Sequence, residues 1–248
     1  MKILRTFFRI GRVFSFVFPQ TPSFKGATGE RRVNSSLRSS LNNQDYHTLT
    51  NLTLPTKGGT TQIDHIVLSR NGVFVVETKN MSGWIFGGAN QARWTQVLHR
   101  HKTQFQNPIR QNYRHIKVVQ DLLGIELKQL HNVVVFAGSA EPKTDMPENV
   151  LWDTRELSDY IRSKQNAHFS DNQLRTFKER LNRNTLDASR ETNRAHIKHV
   201  KAKVAERQND KTKCPRCSAK MVERSNRKSG EKFLGCSRFP KCKGTKKV

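Results

Sequence analysis

Acidic residues are scarce in this chain. Of its 248 residues 20 are Asp or Glu, against 45 Lys or Arg, for a formal charge of +25. Residues 190–248 concentrate the imbalance, with 19 basic residues against 5 acidic ones. A tail so poor in carboxylates suits a polyanion, most simply nucleic acid, whose binding is driven by counterion release. A basic surface kept for solubility would not confine its charge to one tail. Cysteine is also rare: there are four, all after residue 213. That is too few and too clustered for a secreted disulfide framework, and it points to metal in a reducing, cytoplasmic compartment. Long hydrophobic runs are missing as well. Among residues 1–20 the longest apolar run is Val13–Phe18, with Lys2, Arg5, Arg9 and Arg12 interrupting what precedes it. A membrane span needs roughly 20 apolar residues. No Ala-x-Ala-like site follows, so a cleaved signal is not expected. Two readings of this basic, aromatic segment stand side by side. One is an interfacial helix on anionic lipid at the inner membrane, and the other is a helix packed on the domain or frayed.

What the chain does have is organised around one hairpin, Gln62–Lys79. Two β-branched and aromatic runs flank Asn71–Gly72, a strong short-range hairpin signal. With those two residues as the loop, Arg70 faces Val73, Asp64 faces Lys79 and Glu77 faces Ile66. Alternation then puts Asp64, Glu77 and Lys79 on one face at the open end. Most other positions are apolar on both faces, as in a strand pair at the middle of a covered sheet. Two carboxylates and a lysine there are costly unless they bind something. A cross-strand Asp–Lys ion pair is the plain alternative.

The remaining chain reads as α/β with a mixed sheet. A first helix spans about Gly26 to Leu41, with Thr28 as N-cap, Glu30 in the first turn, and Val33, Leu37 and Leu41 as its buried stripe. Asp45–Leu54 is a strand. Gly83–Gly88 and Ala92–Leu98 form a small hairpin whose tryptophans and glycines are read as architectural. Asn107–Pro108 starts a helix that stops at Gly124, with Ile109, Tyr113, Ile116, Gln120 and Leu123 lining its stripe. His131–Ala137 is a buried strand, and Leu157–Arg162 the core of a short helix. Four segments result: a basic and aromatic one at 1–25, an α/β domain at 26–165, a charged, partly helical linker at 166–210, and a small domain at 211–248. In the last, Cys214-x2-Cys217-x18-Cys236-x5-Cys242 suits tetrahedral zinc, the metal replacing a core that so short a piece cannot build.

The pattern D-x12-E-x-K of Asp64, Glu77 and Lys79 resembles the PD-(D/E)xK nuclease superfamily. More specifically, Gly26–Val33 (GATGERRV), Gln62–Val67 (QIDHIV), Val76–Lys79 (VETK) and Asn107–Asn112 (NPIRQN) resemble the nuclease-related domain family. The resemblance implies a restriction-endonuclease-like mixed sheet flanked by helices. It also implies a role in DNA processing, with Glu30, Asp64 and Glu77 as acids for Mg²⁺ or Mn²⁺, Lys79 assisting the attacking water, and Gln111 as an accessory polar residue. Hard oxygen ligands suit those ions.

The tail, with Phe233-Leu-Gly-Cys236-Ser-Arg-Phe239-Pro-Lys-Cys242, resembles the C-terminal zinc ribbons of bacterial type I topoisomerases. That resemblance implies contact with single-stranded DNA: Arg216, Lys232 and Lys241 along phosphates, Phe239 stacked on bases, and Phe233 more in the ribbon's own core. It does not extend to strand passage. Tyr46, Tyr113 and Tyr160 lie in or beside the nuclease-like part, and no catalytic domain carrying a nucleophilic tyrosine is recognisable. The expected activity is metal-dependent hydrolysis of DNA; the rival is a non-catalytic DNA-binding adaptor on a retained nuclease fold.

Overall fold

The computed structural model describes residues 22–187, 189, 192, 194–198, 201, 202, 205 and 210–248 except 218, 227 and 228. The N-terminal segment therefore lies outside the described residues, and with it the expected membrane contact of residues 1–20. Among the described residues no helix is long and apolar enough to cross a membrane.

The chain folds as α1 (Pro22–Ser40), β1 (Tyr46–Thr56), β2 (Gly59–Ser69), β3 (Gly72–Lys79), β4 (Gly83–Phe86), β5 (Arg93–Leu98), β6 (His101–Gln106) and α2 (Pro108–Leu123). It continues as β7 (Leu130–Phe136), β8 (Ala140–Pro142), β9 (Val150–Leu151), α3 (Thr154–Ser163) and α4 (Asp171–Asn184). The tail adds β10 (Met221–Ser225), β11 (Lys232–Cys236) and β12 (Thr245–Lys247).

A five-stranded sheet, ordered β1-β2-β3-β7-β9, is the centre. Strands β1 to β3 pair antiparallel, and β7 and β9 run parallel to β3 and to each other, so the sheet is mixed as expected. One face packs on α2 and α4 through Ile66, Leu68, Val73, Val75, Ile116, Val119, Leu174 and Phe177. The other packs on α1 and α3 through Val67, Phe74, Val76, Val33, Leu37, Leu157 and Ile161. Both faces being covered explains why β2 and β3 are apolar at nearly every position.

The central hairpin departs from its expected register. Ser69 pairs with Gly72 and Leu68 with Val73, so Arg70 and Asn71 form the loop. A loop at Asn71–Gly72 of the primed type would require positive φ at Asn71. Among the described non-glycine residues only Asn51 and His99 have positive φ. Gly72 instead follows the turn, at φ 142°, where a Cβ would lie 2.6 Å from the His131 ring. The glycine serves close packing of β7 against the hairpin end. Because the register moved by two, the side chains of the paired rows from His65–Val76 to Ser69–Gly72 kept their faces.

Other boundaries moved too. Helix α1 begins at Pro22, so Thr28 does not cap it and Glu30 lies beyond the first turn. Helix α2 starts and stops as expected: the Asn107 side chain accepts the N–H groups of Ile109 and Arg110, and Gly124 ends it in left-handed conformation. Its buried stripe is rotated, however. Asn112, His115, Ile116, Val119 and Leu123 face inward while Tyr113 is exposed. The small hairpin is part of a four-stranded sheet, ordered β6-β5-β4-β8, whose strand β6 the sequence did not reveal. The stretch expected to be a linker opens with α4, where Leu174, Phe177 and Leu181 are buried in the main core and the Leu186 N–H reaches Thr53 O at 2.9 Å. In the tail, β10, β11 and β12 form an antiparallel sheet.

Candidate active site

The acidic residues meet at the end of the central sheet, where three local irregularities bring them together. The first is in β1. Its ladder with β2 includes Thr50–His65 and Leu52–Ile63 but skips the row of Asn51 and Asp64. Asn51 takes φ 54° there. As a result Ile63 and Ile66, three residues apart, both enter the α2/α4 core, which strict alternation would forbid. The second is between β2 and β3, whose ladder ends at His65–Val76. Beyond that row the Asp64 side chain takes the place of strand pairing: its Oδ2 accepts the Thr78 N–H at 2.7 Å. Asp64 therefore belongs beside Glu77 and Thr78, not opposite Lys79.

The third is the approach of α1. A Cβ on Gly29 would lie 2.7 Å from Asn80 Cβ and 3.3 Å from Thr78 Cγ2, so only glycine lets the helix touch the end of β3 here. The next residue is Glu30. His65 is buried on β2. Burial, opposed by the nearby Glu30 backbone, takes the His65 imidazole down to about 4, so it is neutral at physiological pH. Glu30, Asn34, Asn51, Asp64 and His65 line a cleft of about 330 Å³. Asn34, one turn after Glu30, carries a buried Oδ1 with no hydrogen-bond partner. Its spacing from Glu30 is the signal that could have singled it out.

Glu77 is only 4% exposed and is held on several sides. Lys79 Nζ lies 2.6 Å from its Oε1, Gln111 Nε2 donates to the same oxygen at 2.8 Å, and His115 Nε2 stands 3.3 Å from Oε2. Lys79 also donates to Gln111 Oε1 at 3.1 Å. The contact from His115 is oriented too obliquely for a good hydrogen bond, and its Nδ1 sits 2.8 Å from Thr61 Oγ1. His115 had not been singled out, although it follows Gln111 by one helical turn and so shares its face.

The carboxyl groups are electrostatically uneven. Burial raises Asp64 well above its ordinary value, with Glu77 and Glu30 adding to the effect against the Thr78 N–H and Lys79. Burial and then Glu77 raise Glu30. At Glu77 burial also pushes upward, but Lys79 and His115 outweigh it and hold the group below its ordinary value. The surroundings thus favour the charged form at Glu77 and disfavour it at its two neighbours. Neighbouring titratable groups pushed in opposite directions single out this sheet end as a candidate functional site. A hard divalent cation would relieve the crowding, so the oxygen set fits such an ion in chemistry. The three carboxylates are not drawn as close together as the cysteines are: among the described residues only the cysteines bring three or more ligand atoms within 4.8 Å of one another.

In the tail, Cys214 Sγ lies 3.7 Å from Cys242 Sγ, and Cys217 Sγ lies 3.4 Å from Cys236 Sγ. Disulfide sulfurs would be about 2.05 Å apart. Four thiolates about 2.3 Å from one tetrahedral zinc stand about 3.8 Å apart, so the cluster fits that metal. Burial opposes ionisation of Cys214, yet the Arg216 and Cys217 N–H groups bring its thiol down to about 7. A Cβ on Gly244 would lie 2.3 Å from Cys214 Sγ, a requirement the cysteine spacing does not announce. Around the cluster Arg216, Lys232, Phe239 and Lys241 are all exposed. Phe239 is 56% exposed with the Arg224 guanidinium 5.5 Å from its ring centre, and Lys232 pairs with Glu223 at 2.8 Å. Phe233 is half-buried on β11 but does not belong to the ribbon's core cluster, contrary to expectation.

An uncharacterised protein of Bacillus anthracis is 50% identical over 114 residues, which cover 46% of this chain and 53% of that protein. The chain thus spans about half the length of the curated relative it matches. No solved structure matches. Residues 25–137 match the nuclease-related domain family and residues 211–248 the topoisomerase DNA-binding C4 zinc finger.

Proposed function

We propose that the chain is a Mg²⁺- or Mn²⁺-dependent deoxyribonuclease whose ribbon holds DNA in single-stranded form. The observation that supports this best is the meeting of Glu30, Asp64 and Glu77 at one sheet end, with Lys79 fixed between Glu77 and Gln111. Glu30, Asp64 and Glu77 would hold the ion, which, when bound, supplies a water of lowered pKa and neutralises phosphate charge. The chain's own groups do the rest. Gln111 and Glu77 hold Lys79 in place and take up two of its three N–H donors. The third is left to orient a water or to meet charge developing on a phosphate oxygen. His115 and Gln111 keep the Glu77 carboxylate from turning. In the ribbon, Arg216, Lys232 and Lys241 follow phosphates, and Phe239 offers a ring to a base.

A second reading, a DNA-binding adaptor without cleavage, draws on one observation: both Glu77 oxygens already face partners within the chain. One experiment separates the two. Zinc-loaded protein, freed of other divalent ions, is incubated with single- and double-stranded DNA, and Mg²⁺ is then added. Products that require Mg²⁺ and vanish in Asp64→Asn, with DNA binding retained, support the nuclease. Equal cleavage by wild type and variant would sink it, and a mobility shift without products under every condition supports the adaptor.

A further inference from the structure

The four-stranded sheet has one packed face and one open face. Ile85, Trp94 and Phe105 point inward against Phe136, Val134 and Trp152, and Trp94 is fully buried. Alternation sends Trp84 and Phe86 to the other side. Cross-strand pairing extends that side into rows, with Trp84 beside Val97 and Val97 beside Lys102, and with Phe86 beside Thr95 and Thr95 beside Gln104. Trp84 is 51% exposed, although tryptophan is a large side chain to leave in water.

We propose that this open face is a stacking platform for unpaired bases of a single-stranded nucleic acid. Trp84 and Phe86 sit two residues apart on β4, an inner strand of the sheet, so their rings repeat along one line about 6.8 Å apart. Four-stranded sheets with aromatic residues placed this way stack two or three bases in other recognition modules. Stacking needs no particular base, so such a face tolerates any sequence.

The charge around it is complementary to a phosphate backbone. Between Glu77 and Asp121 the sequence contains seven lysines and arginines and no acid. Lys102 and Arg93 are exposed on the same side of the sheet, and Arg100 lies at the β5–β6 turn. The acid that shares this side, Glu141 next to Trp84, is paired with Lys143 at 3.0 Å. Lys143 Nζ also lies 5.1 Å from the centre of the Trp84 ring, an exposed contact that an incoming base can replace while the ammonium turns to a phosphate.

The placement ties the platform to the cleft. Strand β4 follows Lys79 after a short link, in which Ser82 O accepts from Gln96 Nε2 at 2.7 Å. Strand β6 leads directly into Asn107 and thence to Gln111. A strand lying across the sheet thus starts beside the residues proposed to cleave it. This inference rests on the nuclease reading for its purpose, but not for its test.

All three tryptophans, Trp84, Trp94 and Trp152, precede the ribbon, so intrinsic fluorescence reports this domain alone. Full-length zinc-loaded protein without added Mg²⁺ is titrated with oligothymidylate and, separately, with a duplex of equal length. Oligothymidylate should quench the tryptophan signal, and Trp84→Phe should lose the quench while still binding. Trp84→Ala should bind oligothymidylate about tenfold more weakly, within the range of one lost stacked base. Duplex binding should be unchanged in both variants. Quenching that persists in Trp84→Phe, or equal oligothymidylate affinity in Trp84→Ala and wild type, would overturn the platform. Neither result bears on Mg²⁺-dependent cleavage, which is scored separately.

Discussion

At the scale of the residue, Asp64 carries the clearest consequence. Its carboxyl is raised by burial and by two acidic neighbours, so in the folded, metal-free protein its ionisation costs stability. The sign follows from linkage: a group whose folded pKa exceeds its unfolded one stabilises at low pH, and that contribution is lost as pH rises through the folded pKa. Asp64→Asn should therefore raise the Tm of metal-free protein near pH 8. A gain of roughly 2–4 °C is what about 1 kcal/mol produces in a chain of this size. The gain should shrink as the pH is lowered below the raised pKa, and Mg²⁺ should stabilise the wild type more than the variant. Thermal unfolding at several pH values, with and without Mg²⁺, measures all three, and a variant less stable than wild type at pH 8 would contradict the crowding argument. Asp64, Glu77 and Lys79 were legible because chemistry-bearing residues stood out on apolar strands. His115 and Asn34 were not, since a histidine or asparagine on a helix declares nothing until its neighbours are known.

At the scale of the element, the ribbon shows how a glycine can decide a metal site. Gly244 lies where any Cβ would press on Cys214 Sγ, whose position the cluster fixes. Gly244→Ala should weaken zinc binding about 10- to 100-fold, the usual cost of disturbing the surroundings of a ligand. A chelator competition followed by a colorimetric zinc indicator checks this; unchanged retention would show that the tail yields more than its packing suggests. The central hairpin teaches a similar lesson about legibility. Its existence and the faces of its rows from His65 to Val76 could be read from period-2 alternation, because a register shift of two leaves faces unchanged. The break at Asp64 that sends Ile63 to the other face could not be read that way. Which residues formed the loop could not, since the close approach of His131 across from Gly72 comes from a strand much later in the chain. Helix α4 shows the same limit: its helical character could be read, but not the burial of its narrow stripe of Leu174, Phe177 and Leu181, whose partners come from β1, β2 and α2.

At the scale of the whole molecule, a charge of +25 should make the proposed DNA binding strongly dependent on salt. On a single strand each phosphate contact contributes about 0.7 to the slope of log affinity against log salt. Replacing Arg216 and Lys241 together by alanine should lower that slope by about 1.4 if each meets one phosphate. Binding isotherms between low and moderate salt test it, and parallel slopes would remove the ribbon's basic residues from the DNA contact. The sequence by itself determined the helix caps at Asn107 and Gly124, the mixed α/β character and the cysteine quartet. Each of these is written in residues close together in the chain or in a fixed periodicity. Tertiary structure alone decided the rest. It set Glu30 beside Asp64 through the contact of Gly29 with Thr78 and Asn80, and it turned Asp64 at the break opposite Asn51. It also buried Trp94 while leaving Trp84 open. The physical reason is common to all: these outcomes depend on which surface of a distant element arrives, and a local pattern carries no record of that.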